Sequence, residues 1–232
     1  MEAIVLAGGL GTRLRSIVSG LPKPMAPVHG RPFLALVLDQ LADAGFQTAI
    51  LAVGYRHDAI RAYFGDSFRG LALRYSVESE PLGTGGAMRL ACLHAHAPDV
   101  FVLNGDTYLE LDFSAMLDAH VGAMASFSMA ICHVLDVERY GALELDDGIV
   151  RGFCEKGRSG PGWINGGTYI LGPELRARLR PKGAFSFEHD LLVPEIGLIR
   201  PLAFRASGLF IDIGVPEDYL RVQQLFSQHP AP

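Results

Sequence analysis

Cysteine is scarce: Cys92, Cys132 and Cys154 are the only three in 232 residues, far apart and without a CxxC pair. That spacing suggests neither a zinc site nor a disulfide framework and fits a reducing cytoplasm. Positive charge is also in short supply, since 20 Lys and Arg face 25 Asp and Glu for a formal net charge of −5. Nucleic-acid binding needs clustered cations to displace counterions from phosphates, so that footprint is missing, whereas a small anionic substrate needs only a local basic pocket. No apolar run approaches a membrane span, and residues 1–6 run directly into a strand-like stretch with no basic start or apolar signal segment ahead of them. The expectation is a soluble cytoplasmic protein with neither membrane nor nucleic acid as a partner. No internal repeat or long linker divides the chain.

What is present is ordinary globular composition, 49% hydrophobic and 19% charged, in a chain of a length suited to one compact unit. Short apolar, β-branched runs at 3–6, 48–53, 73–77 and 100–103 alternate with amphipathic segments of helical length at 33–44, 57–64 and 85–96. Continuous apolar strands separated by helices predict a parallel sheet covered on both faces, which binds ligands at the carboxyl ends of its strands. Beyond about Gly122 the strand-like stretches 126–133, 142–145, 149–153 and 167–171 are separated by turns, which predicts antiparallel additions. A final strand at 209–213 leads to a helix with Pro216 in its first turn. The division expected is a nucleotide-binding part over about 1–122, a second-substrate part over about 123–215 and a terminal helix over about 215–227, all within one domain spanning 1–232.

The strongest local signal is Leu6-Ala7-Gly8-Gly9-Leu10-Gly11-Thr12-Arg13-Leu14, a strand running into a loop of three glycines and an arginine. Glycines let backbone N–H groups approach phosphate oxygens, and Arg13 adds a forked donor suited to phosphate. The same residues could form a purely structural turn. They match only part of a GxGxxG fingerprint, because Leu14 stands where its third glycine would be, and no Walker-type lysine follows. In Leu21-Pro22-Lys23-Pro24-Met25 two prolines stiffen the backbone around Lys23, which taken alone could be a surface lysine. With Arg13 it makes two cations close in sequence to one loop, as a nucleotide triphosphate requires.

Asp106 follows the strand at 100–103 and Asp212 lies near the end of the strand at 209–213. If those strands share a sheet, the two carboxylates reach one edge and offer the hard oxygen ligands that Mg2+ takes beside substrate phosphates. Asp106 could instead simply form a turn, and Asp212 could cap the last helix.

GGLGTR followed by PKPM resembles the opening signature of the sugar nucleotidyltransferases, and further landmarks follow in order along nearly the whole chain. Residues 78–87, ESEPLGTGGA, resemble the family's base-recognition loop, and Asn104-Gly105-Asp106 its first metal-binding turn. Tyr140-Gly141 and Glu155-Lys156 resemble its sugar-phosphate contacts, Asn165-Gly166-Gly167 its sugar floor, and Phe210-Ile211-Asp212-Ile213-Gly214 its second metal-binding turn.

The resemblance implies a Rossmann-like α/β fold of the nucleotide-diphospho-sugar transferase type, with Mg2+ held by Asp106 and Asp212. It implies that Arg13 and Lys23 assist at the nucleotide phosphates and that Lys156 holds the sugar phosphate. Nucleotide contacts are thereby expected from Leu6, Ala7, Gly8, Gly9, Gly11, Thr12, Glu78, Glu80, Gly83, Thr84, Asn104 and Asp106, and sugar-phosphate contacts from Tyr140, Gly141, Glu155, Lys156, Asn165 and Gly166.

Glu78 bears on the base, because a carboxylate only accepts hydrogen bonds and guanine presents two adjacent donors. GTP is therefore favoured as the donor, with Glu80 a competitor for the same role, although both acids could face solvent. Within the family the chain is most similar to guanylyltransferases acting on D-glycero-α-D-manno-heptose 1-phosphate, which make GDP-heptose for bacterial surface polysaccharides, and next to those acting on mannose 1-phosphate. The alternatives are a uridylyl- or thymidylyltransferase for a hexose 1-phosphate and a non-catalytic regulator that binds nucleotide sugars. The sequence leaves a homo-oligomer open.

Overall fold

Apolar runs bounded by turns become strands, and amphipathic stretches become helices, in a computed structural model that describes residues 1–9, 20–154, 159–179 and 183–226. The first half contains β1 (Glu2–Leu6), a 3-10 turn (Lys23–Met25), β2 (Pro27–Val28), β3 (Arg31–Pro32), α1 (Phe33–Asp43), β4 (Thr48–Val53), α2 (His57–Phe64), β5 (Ser67–Phe68), β6 (Leu71–Val77), α3 (Gly83–Cys92), β7 (Val100–Asn104), β8 (Thr107–Leu109) and α4 (Phe113–Gly122). The second half contains β9 (Phe127–Val134), β10 (Leu143–Asp146), β11 (Ile149–Phe153), β12 (Gly162–Leu171), α5 (Pro173–Arg178), a π-helical turn (Glu188–Leu192), α6 (Ile196–Ile199), β13 (Leu202–Ala206), β14 (Phe210–Asp212) and α7 (Pro216–Phe226).

Ten strands form one sheet in the order β10-β11-β13-β9-β12-β7-β1-β4-β6-β5. Its centre, β7-β1-β4-β6, is wholly parallel, so Leu6, Val53, Val77 and Asn104 all end at one rim. Seven of the ten strands share that direction, while β5, β12 and β11 oppose it. Both faces are covered, which is why the central strands read as unbroken apolar runs. Ala3, Val5, Leu51, Phe101 and Leu103 pack on one side with Phe33, Leu34, Val37, Leu38 and Leu41 of α1. Ile4, Ile50, Val100 and Val102 face the other side, where Ala87, Met88 and Ala91 of α3 and Leu175 of α5 cover them. Phe46, Phe101 and Phe113 lock the first layer by edge-to-face contacts at 5.2 to 5.6 Å.

The second half is richer than its sequence pattern predicts. The stretch 202–206 forms β13, which runs parallel to β9 and is reached through α5, the π-helical turn and α6 rather than by a simple turn. β12 begins at Gly162, ahead of the expected 167, because a register shift between Asn165 and Tyr169 carries the strand through its paired glycines without ending it. α3 starts at Gly83 and stops at Cys92, short of the expected 96.

Gly105 turns the chain off the rim after β7, and its N–H donates to Leu6 O at 2.9 Å. A Cβ there would lie 2.8 Å from the same carbonyl oxygen, which belongs to the central strand and cannot easily move. Gly105→Ala is accordingly expected to destabilise the fold by about 1–3 kcal/mol, read as a lowered urea midpoint. Gly122→Ala is the control: no atom lies within 4 Å of its added Cβ. It should leave the midpoint unchanged or raise it.

Candidate active site

The Pro-Lys-Pro frame folds into the 3-10 turn, with Pro22 preceding it, Pro24 and Met25 buried, and Met25 N–H donating to Pro22 O at 2.8 Å. This fixes the stem of Lys23, whose side chain is only 13% exposed. Its Nζ donates to Asp106 Oδ2 in a very short contact and lies 3.7 Å from Asp212 Oδ1.

The two aspartates meet by a route other than the one anticipated. They do not hang from two strands of one sheet. β14 pairs instead with β8 in a separate antiparallel ribbon, Asp212 opposite Thr107, and Ile213 N–H donates to Asp106 O at 3.1 Å. Gly214 N–H donates to Asp212 Oδ1 at 2.7 Å and fixes that carboxylate's orientation. Burial and then the neighbouring negative charge of Asp106 push the Asp212 carboxyl above its ordinary range, with Lys23 opposing them.

Two carboxylates sharing one ammonium keep a surplus negative charge. Among the described residues no group of three or more His, Cys, Asp or Glu side chains could cage a metal unaided. The pair therefore fits a hard divalent cation that takes one or two protein carboxylates and completes its shell with phosphate oxygens and water.

A cleft of about 700 Å³ opens beside this cluster at the carboxyl rim. Of the residues expected to bind nucleotide, Leu6, Gly8, Gly9, Lys23, Glu78, Glu80, Gly83, Thr84, Asn104 and Asp106 line it. Ala7 is buried behind the wall, its N–H donating to Ala52 O at 2.8 Å and prolonging the pairing of β1 with β4. Glu78 also has a local task, since its Oε2 accepts the Leu82 N–H at 3.0 Å and braces the loop between β6 and α3. Gly54 and Tyr55 are wall residues that sequence reasoning missed. Their signal was available, because they directly follow β4 at the same rim.

The residues expected on the sugar side lie outside that wall. Tyr140 meets Phe210 of β14 edge-on at 5.5 Å, and its hydroxyl donates to Asp218 Oδ2 at 3.4 Å. Burial, reinforced by Asp218, pushes this phenol up to about 12. Arg139 pairs with Asp218 at 2.8 Å, and Gly141 closes the turn by donating its N–H to Val137 O at 3.0 Å. Asn165 sits in the irregular part of β12, where its amide nitrogen donates to Tyr169 Oη at 2.7 Å and Glu188 Oε2 at 3.3 Å. Gly166 is enclosed by Leu109 and Ala130. Gly11, Thr12, Arg13, Glu155 and Lys156 lie outside the described residues.

Residues 2–228 match the family described as Nucleotidyl transferase, and the chain belongs to that family. Such enzymes generally use a divalent metal. The chain is 42% identical to a D-glycero-alpha-D-manno-heptose 1-phosphate guanylyltransferase of Aneurinibacillus thermoaerophilus, with 97% of each chain covered. It is 40% identical to the enzyme of the same name from Campylobacter jejuni, over 94% of this chain and 97% of that one. The crystal structure of HddC from Yersinia pseudotuberculosis superimposes with a TM-score of 0.88 at 40% identity, covering 97% of this chain and 99% of that one, and HddC has also been crystallised with GMP-PN. No helix among the described residues is long and apolar enough to cross a membrane.

Asp212→Asn separates function from stability. Turnover, measured as pyrophosphate release, should fall about 10²-fold or more, the scale expected when a charge-stabilising group of a reaction centre is removed. Because burial and Asp106 raise the Asp212 carboxyl in the folded state, its ionised form costs stability at neutral pH, and the cost vanishes as acid protonates it. Without added metal, the Asn variant should melt higher than the parent at pH 7, and the difference should shrink toward pH 4. A variant melting lower at pH 7 would contradict the charge argument.

Proposed function

We propose that the protein transfers GMP from GTP to a sugar 1-phosphate, D-glycero-α-D-manno-heptose 1-phosphate in particular, releasing pyrophosphate and forming GDP-heptose in the cytoplasm. The observation that carries this reading is the Lys23 ammonium held against Asp106 and Asp212 beside the cleft of about 700 Å³. The relatives' guanylyltransferase activity and the GMP-PN complex of HddC support the choice of base and acceptor.

In the reaction a phosphate oxygen of the sugar 1-phosphate attacks the α-phosphorus of GTP, and the bond to the β-phosphate bridging oxygen breaks in line with it. No side-chain nucleophile is required. The protein's task is to align the two anions and offset charge that builds on the α-phosphoryl oxygens. Lys23 supplies a fixed cation there, and Arg13 is assigned with it to the nucleotide phosphates. Asp106 and Asp212 would hold Mg2+, whose chemistry when bound is to neutralise phosphate charge and orient phosphate oxygens. Lys156 is assigned to the acceptor's phosphate, with Tyr140, Gly141, Glu155, Asn165 and Gly166 around the sugar. The part over about 1–122 would thus seat the nucleotide and the part over about 123–215 the acceptor. Glu78, on the wall of the cleft, is assigned to the guanine N1–H and exocyclic amine.

A matrix of GTP, UTP, dTTP, ATP and CTP against several sugar 1-phosphates, scored by pyrophosphate formed with Mg2+, tests this assignment. GTP with the α-configured manno-heptose 1-phosphate should give the highest kcat/KM. Faster turnover with UTP or dTTP would overturn the base assignment, and absence of turnover with every pair would leave a nucleotide-sugar-binding regulator. Glu78→Gln should lower kcat/KM for GTP relative to UTP by about tenfold, since one bidentate acceptor is lost. An unchanged ratio would move base reading to Glu80 or the backbone.

A further inference from the structure

The glycine-rich loop at the start of α3 performs a task besides lining the nucleotide cleft. The segment leading into the π-helical turn lies against it: Phe185 N–H donates to Leu82 O at 2.9 Å, and Gly85 N–H donates back to Phe185 O at 3.0 Å. The Phe185 ring occupies the space a side chain at position 85 would need, since a Cβ on Gly85 would lie 2.1 Å from its Cε2. One side-chain bond completes this seam. Phe187 N–H donates to Thr84 Oγ1 at 2.9 Å, so the threonine hydroxyl of the base-side loop holds the backbone immediately before Glu188.

Glu188 in turn reaches the floor of β12. Its Oε2 accepts from Asn165 Nδ2 at 3.3 Å, the same nitrogen donates to Tyr169 Oη at 2.7 Å, and Asn165 Oδ1 accepts the Gly167 N–H at 3.0 Å. Both amide hydrogens of Asn165 are thereby engaged, and Glu188 is one of three groups, with Tyr169 and the Gly167 N–H, that orient this amide. The group borders the reaction centre. Tyr169 is buried, and its hydroxyl's pKa is raised by burial, by Glu188 and, further, by the charge of Asp106. A Cβ on Gly167 would lie 2.8 Å from Asn104 Nδ2, two residues from Asp106.

We infer that Thr84 is a positioning residue for the sugar phosphate: although it lines the nucleotide cleft, its hydroxyl acts through Phe187 and Glu188 to orient Asn165. The inference rests on the proposed reading of Asn165 as part of the acceptor's floor. The Phe187 amide takes one acceptor site of the hydroxyl and leaves its O–H free to donate, so the two substrates' KM values separate a positioning role from base reading.

Initial rates for the full chain with GTP, heptose 1-phosphate and Mg2+, each substrate varied in turn, test it. Thr84→Val keeps the volume of the side chain and removes the acceptor. It should raise KM for the sugar phosphate about fivefold or more, the effect of losing one hydrogen bond, while KM for GTP changes less than about twofold. Thr84→Ser, which retains the hydroxyl, should bring the sugar KM back to that of the parent. In a Glu188→Gln background the valine substitution should add little, since its route to Asn165 has already been altered. A rise confined to KM for GTP, failure of serine to rescue, or full additivity with Glu188→Gln would overturn the inference while leaving guanylyl transfer intact. No turnover by the parent chain with any sugar 1-phosphate would instead overturn the functional reading and this inference with it.

Discussion

The placing of one ammonium between two carboxylates governs the arrangement of this protein. Lys23 comes from a proline-framed turn near the start of the chain, Asp106 from the end of a central strand, and Asp212 from a short ribbon near the last helix. Like charges at such range repel, and partial burial strengthens that repulsion by weakening solvent screening. The lysine offsets part of it and leaves the pair still negative, the condition under which a divalent cation and phosphates bind favourably together.

The surrounding fold serves that constraint. A covered parallel sheet gives a rigid rim at which β1, β4, β6 and β7 all end, and the cleft follows that rim. Gly105 allows the chain to leave the rim without displacing β1, and the β8–β14 ribbon then brings the end of the chain back to Asp106. In the proposed transfer that rigidity has a chemical purpose, since two anions are to be held in line and each ångström of slack in the frame would weaken the alignment.

The same economy of contacts joins the cleft to the floor of β12. A loop that borders the cleft also seats Phe185 and anchors the backbone before Glu188. The loop is therefore constrained from two directions, with Gly83 on the cleft in front and Gly85 against the Phe185 ring behind. Resemblance to a base-recognition loop accounts for the first constraint only. The second arises from a segment about a hundred residues further along the chain, as the spacing of Thr84 and Phe187 shows.

Much of the frame was legible in the sequence because its signals are local. Continuous apolar runs marked β1, β4 and β7, helical periodicity marked α1 and α2, and Pro216 marked the start of α7. Spaced motifs identified the family and cover most of the cleft wall, although Ala52, Gly54 and Tyr55 were overlooked. β8, β13 and the early part of β12 were not legible. β8 is three residues long and is defined by its partner β14, and β12 passes through two glycines that read as a break. The meeting of Asp106 with Asp212 was anticipated for a reason that proved wrong, since a separate ribbon makes it rather than a shared sheet. The sequence by itself determined which chemical groups are available and which strands form the scaffold, because residue type and short-range periodicity are intrinsic to the chain. Only the tertiary structure decided which groups face one another and which hydroxyls and amides are already engaged, because hydrogen bonds and ion pairs depend on distances between residues remote in sequence.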